Sequence, residues 1–184
     1  MQEKNEAMKK KILILATTVA VITILLTSFS LVKTGTRTAT YSLPRNLSAR
    51  VDHECRGMTL DEIIDYSLEM TASGLQFDVQ NDIGGGKANC VGYAQLCSAI
   101  CNQALESNGF RERSRPVVGY VKNCGLNICT ILKTVVPSGR WSNFVKDHDF
   151  VELQINGKAY YFDASIYDVL GNKCLTIKDI NHQN

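Results

Sequence analysis

A thiol, an imidazole and a carboxylate lie on three separate segments of this chain. Cys90 opens a predicted helix, His148 lies on a predicted strand, and Asp163 lies on the strand that follows. Together such groups make an activated cysteine nucleophile, in which the imidazole takes the thiol proton and the carboxylate orients the imidazole. The residue types therefore predict a catalytic triad, on the condition that the fold brings the three elements together.

A β-hairpin is predicted to carry the histidine and the aspartate. Residues 148–155 largely alternate in polarity and are rich in β-formers, and residues 158–163 return as a second strand. Between them, Asn156-Gly157 is the preferred two-residue type I′ turn. A turn of this length sets the pairing, so the sequence predicts the register of the two strands as well as their existence.

The register of this hairpin decides which side chains share a face. Phe150 is predicted to face Asp163, which makes His148 the diagonal neighbour of Asp163. The β-carbons of such neighbours are roughly 7 Å apart, so one hydrogen bond can join the imidazole and the carboxylate. Strand alternation sends Asp149 to the other face, where we expect it to affect catalysis only slightly. A bulge would separate the pair, and the hairpin would then be an ordinary one with a satisfied histidine. The apolar side chains predicted on the opposite face are Val151, Leu153, Ile155, Tyr160 and Phe162.

The predicted nucleophile lies at the start of a helix over about residues 90–107. Unpaired backbone amides and the helix dipole at that end favour an anion and hence a thiolate. The small and apolar residues of this helix share one face, which we expect to pack on the rest of the domain; they are Cys90, Ala94, Cys97, Cys101 and Ala104. Cys97 and Cys101 lie deeper along this face, where cysteine acts as a small buried hydrophobe.

Three groups near the predicted nucleophile are candidates for binding an oxyanion. The backbone amide of Cys90 is one, and the side chains of Gln80 and Asn81, just upstream, are the others. Donors of this kind stabilise the negative charge that develops on a carbonyl oxygen under attack. Together with the triad they predict a site for acyl transfer.

The same residues resemble the motifs of the transglutaminase-like superfamily, whose core is that of the papain-like thiol enzymes. The matching motifs are Cys90-Tyr93-Ala94 on the helix, His148-Phe150-Glu152 and Tyr161-Asp163 on the hairpin, and a strand over 115–121. The resemblance covers about residues 59–168. It implies an α+β fold in which the cysteine helix packs on an antiparallel β-sheet, and acyl-transfer chemistry at amide bonds. The chain departs from the family pattern at Asn89, Asp149 and Ala164. None of these departures removes a chemical group from the triad.

The amino-terminal segment is typical of a membrane anchor. Lys9-Lys10-Lys11 precede residues 12–32, a run of 21 residues without a charge, and a helix of about 20 such residues crosses a bilayer hydrocarbon core. We therefore expect a single-pass transmembrane helix, with the lysines in the cytoplasm and the catalytic domain extracytoplasmic. A cleaved signal peptide, which makes the protein secreted, is the alternative, because Ser28-Phe29-Ser30 offers small residues near a cleavage point.

The chain divides into four predicted segments. They are a cytoplasmic tail over 1–11, the transmembrane anchor over 12–32, a linker rich in Thr, Ser and Arg over 33–52, and the transglutaminase-like domain over 53–184. The last has the usual size of one domain, and a capping box of Thr59 and Glu62 predicts its first helix. The net charge of +2 decides nothing about nucleic acid, but without a basic-aromatic patch we expect no nucleic-acid partner.

Seven cysteines are many for a chain of this length, and an exported domain tends to oxidise them. Cys124 and Cys129 could bridge a turn, and Cys55 or Cys174 could reach another element, so the pairing stays open. A zinc site is not expected, because the sequence has no Cys-x2-Cys pair and its histidines are distant from one another. We expect neither a metal nor another cofactor.

These features predict a membrane-anchored thiol enzyme that acts on a peptide, protein or cell-wall amide. Hydrolysis, as in a cysteine protease, is favoured over transamidation, because nothing in the sequence marks an amine-binding site or a calcium loop. The alternative is a non-catalytic extracytoplasmic binding module that retains the fold and holds a peptide or glycan in the cleft. The complete Cys90-His148-Asp163 set favours the enzyme, since a binding module has no chemical need for all three groups.

Overall fold

The computed structural model describes residues 14, 17–19, 29–123, 126–127, 147–170 and 177–178. Within them, residues 14 and 17–19 are helical, and the helices with defined bounds are α1 (Arg45–Glu54), α2 (Leu60–Gly74), α3 (Cys90–Ser107) and α4 (Ala164–Leu170). The strands are β1 (Phe29–Thr36), β2 (Gln76–Phe77), β3 (Lys87–Ala88), β4 (Ser114–Asn123), β5 (Leu126–Asn127), β6 (His148–Ile155), β7 (Lys158–Phe162) and β8 (Ile177–Lys178). Helices and strands occur in the mixed order of an α+β fold.

One antiparallel sheet organises the described part of the chain. Its strands lie in the order β1-β4-β6-β7-β8, with β5 beside β4, and neighbouring strands are antiparallel throughout. β2 and β3 form a separate parallel pair just before α3. The two strands predicted to position the imidazole and the carboxylate, β6 and β7, are therefore neighbours inside the main sheet.

The β6–β7 hairpin has the register that its turn sequence predicts. Val151 lies opposite Phe162, and Ile155 lies opposite Lys158. The turn residue Asn156 has a φ of 51°, and the glycine after it has a φ of 74°; a type I′ turn requires positive values at both positions. The predicted register is confirmed from the Val151–Phe162 pair to the Ile155–Lys158 pair.

The sheet buries side chains on both of its faces. On one face, Val151, Leu153 and Phe162 join a core that α2 and α3 share. The cluster on the other face consists of Leu31, Val117, Val121, Phe150, Ala159 and Tyr161. Because α3 packs against β4 and β6 as well as α2, the expected packing of the cysteine helix on an antiparallel sheet is present.

The predicted transmembrane helix over 12–32 is wrong. Within the described ranges, no helix is long and apolar enough to cross a membrane. The end of the predicted span instead belongs to β1, where Leu31 is fully buried in the sheet. The other residues of the predicted span, apart from Ile14 and residues 17–19, lie outside the described residues. An apolar run rich in β-formers suits a buried strand as well as a helix, and hydropathy does not separate the two. The fold class of the described part of the chain is thus α+β with an antiparallel sheet.

Two elements occupy much of the stretch over 33–52 for which a linker is predicted: the end of β1 and most of α1. Val51 of α1 is fully buried. The carboxylate of Asp52 accepts hydrogen bonds from Gln103, at 2.6 Å, and from Ser107, both in α3. These partners lie more than fifty positions away in the chain, so the composition of the stretch itself, rich in Thr, Ser and Arg, does not reveal them.

Candidate active site

Cys90 is the first residue of α3. The side-chain oxygen of Asn89 caps the helix by accepting a hydrogen bond of 3.0 Å from the backbone N–H of Val91. Asparagine caps a helix as well as aspartate does, so the departure from the family pattern at this position leaves the helix start intact. Cys90 is 7% exposed, and it lies at the positive end of the helix dipole.

The imidazole of His148 is paired with the carboxylate of the predicted triad. Its Nε2 atom hydrogen-bonds to Oδ2 of Asp163, and the side chain of Cys90 lies near enough to the ring to raise its pKa. Burial lowers the pKa of His148, but the charge and hydrogen bond of Asp163, together with the nearby Cys90, outweigh burial and hold the pKa well above its usual value of 6.5. The structure thus pairs His148 with Asp163, and the direction of the pKa shift favours the protonated imidazole.

The carboxylate of Asp163 is fixed by the start of α4. Its Oδ1 atom accepts hydrogen bonds from the backbone N–H groups of Ser165, at 2.9 Å, and Ile166, at 3.1 Å, and from the Ser165 hydroxyl at 2.7 Å. Oδ2 is left for the imidazole. Burial raises the pKa of Asp163, but the charge of His148 and these hydrogen bonds together lower it below its usual value. The carboxylate is therefore ionised and held in one orientation.

A second contact joins α4 to the cysteine helix. Tyr93, about one turn after Cys90, is 1% exposed. Its hydroxyl donates a hydrogen bond of 2.6 Å to Asp168 of α4 and lies 3.2 Å from the backbone oxygen of Leu75. The tyrosine of the first motif thus connects the helix that carries the thiol with the helix that Asp163 caps.

Of the two upstream side chains predicted as oxyanion donors, the structure brings Asn81 to the cysteine helix. A β-carbon built on Gly92, in the first turn of α3, lies only 2.1 Å from the side-chain oxygen of Asn81. Asn81 therefore occupies space that glycine leaves open. Gln80 is exposed, and its described hydrogen bond runs from its backbone N–H to Asp78. The amide of Cys90 itself lies in the first turn, where N–H groups have no partner within the helix.

Arg37 is a residue of this region that sequence analysis missed. It follows β1, and its Nε and Nη2 atoms donate hydrogen bonds of 2.7 and 3.0 Å to the carboxylate of Asp149, which is 2% exposed. The hydrogen bond to Asp149 raises the pKa of Arg37, burial lowers it, and negative charge on Asp149, Asp147 and Cys90 adds to the rise. Asp149 was the available signal in the sequence, because a carboxylate that is buried needs a cationic partner. The sequence does not say which lysine or arginine that partner is.

Glu152, the acidic residue of the second motif, has structural partners. It accepts hydrogen bonds from Lys33 at 2.9 Å, Arg115 at 2.7 Å and the hydroxyl of Tyr161 at 3.1 Å. Burial raises the pKa of Glu152, but Lys33 and Arg115 outweigh it and hold that pKa below the usual value. Because these partners belong to β1, β4 and β7, the carboxylate ties three strands to β6.

The other described thiols have the packing role that the helix pattern predicts. Cys97 and Cys101 are fully buried; burial raises the pKa of Cys101 to about 12 and that of Cys97 well above its usual value. Cys55 is free and buried as well, while Cys124, Cys129 and Cys174 lie outside the described residues. Within the part of the chain that the structure describes, no three His, Cys, Asp or Glu side chains form a group able to hold a metal ion.

Comparison with known proteins found no match among protein-family models, curated proteins or solved structures. The function proposed for this chain accordingly depends on the residue types and on the geometry of the site.

Proposed function

We propose that this chain is a thiol hydrolase of the transglutaminase-like class, which cleaves amide bonds through an acyl-enzyme. The observation that carries the proposal is the largely buried His148–Asp163 pair, whose imidazole has a pKa raised in part by the nearby thiol at the start of α3. A packing histidine needs one partner, whereas this ring has a bound carboxylate and a nucleophile nearby.

In the acylation step, the sulfur of Cys90 attacks the carbonyl carbon of the amide while His148 holds the thiol proton. The bond between carbon and nitrogen then breaks, the proton passes from His148 to the departing amine, and a thioester remains on Cys90. Asn81 and the backbone amide of Cys90 are the proposed donors to the oxyanion.

In the deacylation step, water attacks the thioester carbon and gives its proton to the imidazole of His148. The carboxylic acid leaves, and the proton returns to the sulfur. Asp163 keeps the ring oriented and balances its charge through both steps. Peptide, protein and cell-wall amides are the proposed substrates, with hydrolysis favoured over transfer to an amine.

A fluorescent thiol-directed probe tests the proposal. We expect selective labelling at Cys90 of the wild-type protein, read by mass spectrometry of the labelled peptide, that is slowed strongly in His148→Ala and absent in Cys90→Ser. Cys101 provides an internal control, since a fully buried thiol should react slowly in all three proteins. Labelling at Cys90 no faster than that of an ordinary exposed thiol, and unchanged in His148→Ala, would support a non-catalytic binding module instead.

A digest of peptide libraries and cell-wall fragments then measures whether the protein cleaves an amide bond. Products that appear with the wild-type protein and not with Cys90→Ser identify the amide that is cleaved. Because serine keeps the size of the side chain and removes the thiol, the comparison isolates the nucleophile.

A further inference from the structure

Arg37 presents a fixed positive charge that the proposed mechanism does not use. Its Nε and Nη2 atoms are bound to Asp149, whose side chain is 1% exposed, while the Arg37 side chain is 38% exposed. A bidentate pair with a buried carboxylate fixes the orientation of a guanidinium. Among the described residues, Nη1 has no hydrogen-bond partner, so its two N–H donors are available to another group.

Three observations place this guanidinium beside the cysteine helix. The backbone N–H of Arg37 donates a hydrogen bond of 3.0 Å to the oxygen of Pro116, which extends the β1–β4 pairing and holds Arg37 on the sheet. Asp149, its fixed partner, shares a sheet face with Val151 and Leu153, which is the face that packs on the cysteine helix. Gln95 of α3 donates a hydrogen bond of 2.8 Å to the backbone oxygen of Thr38 and accepts one of 2.8 Å from the backbone N–H of Thr40, so the chain just after Arg37 lies against the first turns of the cysteine helix.

A second carboxylate touches Arg37 more loosely. Oδ2 of Asp147 lies 3.3 Å from Nη2, and the Asp147 side chain is 51% exposed. Exposed ion pairs contribute little to stability and are screened by salt. Asp147 is therefore a partner that another carboxylate can replace, whereas the buried Asp149 keeps the guanidinium in place.

We propose that Arg37 recognises a carboxylate on the substrate, next to the amide carbonyl that Cys90 attacks. This inference rests on the proposed function and names its substrate class, an amide with a negative charge close to the bond that is cleaved. The substrate carboxylate displaces Asp147 and accepts hydrogen bonds from the outer edge of the guanidinium. An acidic side chain and a free terminal carboxylate both supply this chemistry.

Two alkylating agents of similar size and different charge test the inference on the full-length protein. With iodoacetate or iodoacetamide, the sulfur of Cys90 forms a bond to the methylene carbon and iodide leaves with the bonding electrons. Reaction is followed by mass spectrometry of the peptide that contains Cys90, because the chain has other thiols. The ratio of the two rate constants cancels the reactivity of the sulfur and reports the preference for a negatively charged reagent.

Asp147→Asn is the first variant, since it removes an exposed competitor and leaves Arg37 in place. We expect the iodoacetate-to-iodoacetamide ratio to rise about threefold, in keeping with a weak exposed pair. Glu106→Gln is the matched control: Glu106 makes a similarly exposed ion pair with Arg113, so it changes the net charge equally without touching the site. A rise of equal size in both variants reflects net charge alone and contradicts the inference.

The double variant Arg37→Gln with Asp149→Asn removes both charges and keeps two groups that can hydrogen-bond to each other. It avoids leaving Asp149 buried and unpaired, which destabilises proteins strongly. We expect the ratio to fall about threefold, because the loss of the guanidinium charge is partly offset by the loss of the Asp149 charge, and high salt to lower the wild-type ratio. Equal ratios in the wild-type protein, this variant and Asp147→Asn overturn the assignment to Arg37.

The experiment separates this inference from the proposed function. Suppose that the ratio depends on Arg37 but the rate of iodoacetamide labelling does not change in His148→Ala. The proposed enzyme function then fails, and the substrate role of Arg37 fails with it. Arg37 would remain an anion-binding residue beside an ordinary thiol. If labelling depends on His148 but the ratio ignores Arg37, only the substrate class is wrong.

Peptides that protect Cys90 from iodoacetamide then identify the source of the carboxylate. One pair of peptides differs by Glu against Gln, and a second pair differs by a free against an amidated carboxyl end. Stronger protection by the acidic member of one pair, lost in the Arg37→Gln and Asp149→Asn double variant, assigns that source. Equal protection within both pairs contradicts substrate recognition by Arg37.

Discussion

Asp163 and Glu152 are both buried carboxylates of the β6–β7 region, and they are balanced in different ways. Asp163 is paired with His148, whose imidazole can take up and release a proton, and its other oxygen caps α4. Glu152 is paired with the ammonium group of Lys33 and the guanidinium group of Arg115, which join neighbouring strands to β6. One pair can therefore exchange a proton with a reacting group, and the other cannot.

The difference shows that burial of a carboxylate does not by itself indicate a functional group. What matters is whether the partner is titratable and whether it also lies near a nucleophile. His148 satisfies both conditions through Cys90, whereas the partners of Glu152 hold strands together. Substitutions at the two carboxylates should accordingly affect different properties.

The largest expected effect is on activity in Asp163→Asn. Asparagine can still cap α4, but it cannot balance an imidazolium and it favours the wrong tautomer of His148. The equivalent change in a serine triad costs about 10⁴-fold in turnover, and a thiolate–imidazolium pair needs the carboxylate less, so we expect a loss of about 10²-fold. Turnover of any accepted amide measures it, with Glu152→Gln as the matched control, which should stay within about threefold of wild type. The reverse ranking would show that Glu152 is the catalytic carboxylate.

The second effect is on stability in Glu152→Gln. Removing one partner of a buried ion pair costs about 3–5 kcal/mol, and because Lys33 and Arg115 are partly exposed and can turn to water, we expect about 2 kcal/mol here. Urea unfolding followed by circular dichroism measures the free energy of unfolding. Asp163→Asn should cost less, since His148 can become neutral once the carboxylate is gone. If Asp163→Asn lowers the free energy of unfolding more than Glu152→Gln does, the proposed distinction between the two carboxylates is wrong.

The pH dependence of stability sharpens the same distinction. The pKa of folded His148 is raised, so its stabilising contribution is complete below the unfolded value of about 6.5 and is lost as pH rises through the folded value. The pKa values of Asp163 and Glu152 are lowered, so their contributions are lost only as pH falls into the acid range. Between pH 6 and 10, the decline in unfolding free energy due to His148 should disappear in Asp163→Asn and persist in Glu152→Gln. Identical profiles for the two variants contradict this assignment.

The smallest expected effect is that of Asp149→Asn on turnover of an amide without a carboxylate. Asp149 binds Arg37 rather than the imidazole, so we expect a change of less than about threefold at saturating substrate. The same measurement on Asp163→Asn provides the comparison. If Asp149→Asn is the more damaging substitution, Asp149 and not Asp163 orients His148.

Local signals in the sequence account for the parts of the fold that were predicted correctly. Asn156-Gly157 has a conformational preference that sets the hairpin register without help from the rest of the chain. The capping box of Thr59 and Glu62 likewise satisfies its own backbone groups, and both of its hydrogen bonds are present at the start of α2. Predictions that depend on two to four neighbouring residues needed no knowledge of the tertiary structure.

The features that were missed depend on contacts between distant segments. Leu31 belongs to a strand because β4 lies beside it, and the same apolar run favours a helix when it is considered alone. Arg37 meets its partner Asp149 across 112 positions of chain, through two successive strand pairings. Patterns within one segment carry no information about such partners, so the pairing of His148 with Asp163 was accessible to sequence analysis and the pairing of Arg37 with Asp149 was not.

The short helix α4 makes the site sensitive to local opening. It has seven residues, and helices of this length depend on their caps and on tertiary contacts. Its start is held by Asp163 and its middle by the hydrogen bond from Tyr93 to Asp168. When α4 frays, Asp163 loses the donors that orient it while the sheet remains intact. On heating, activity should therefore vanish before the protein as a whole unfolds.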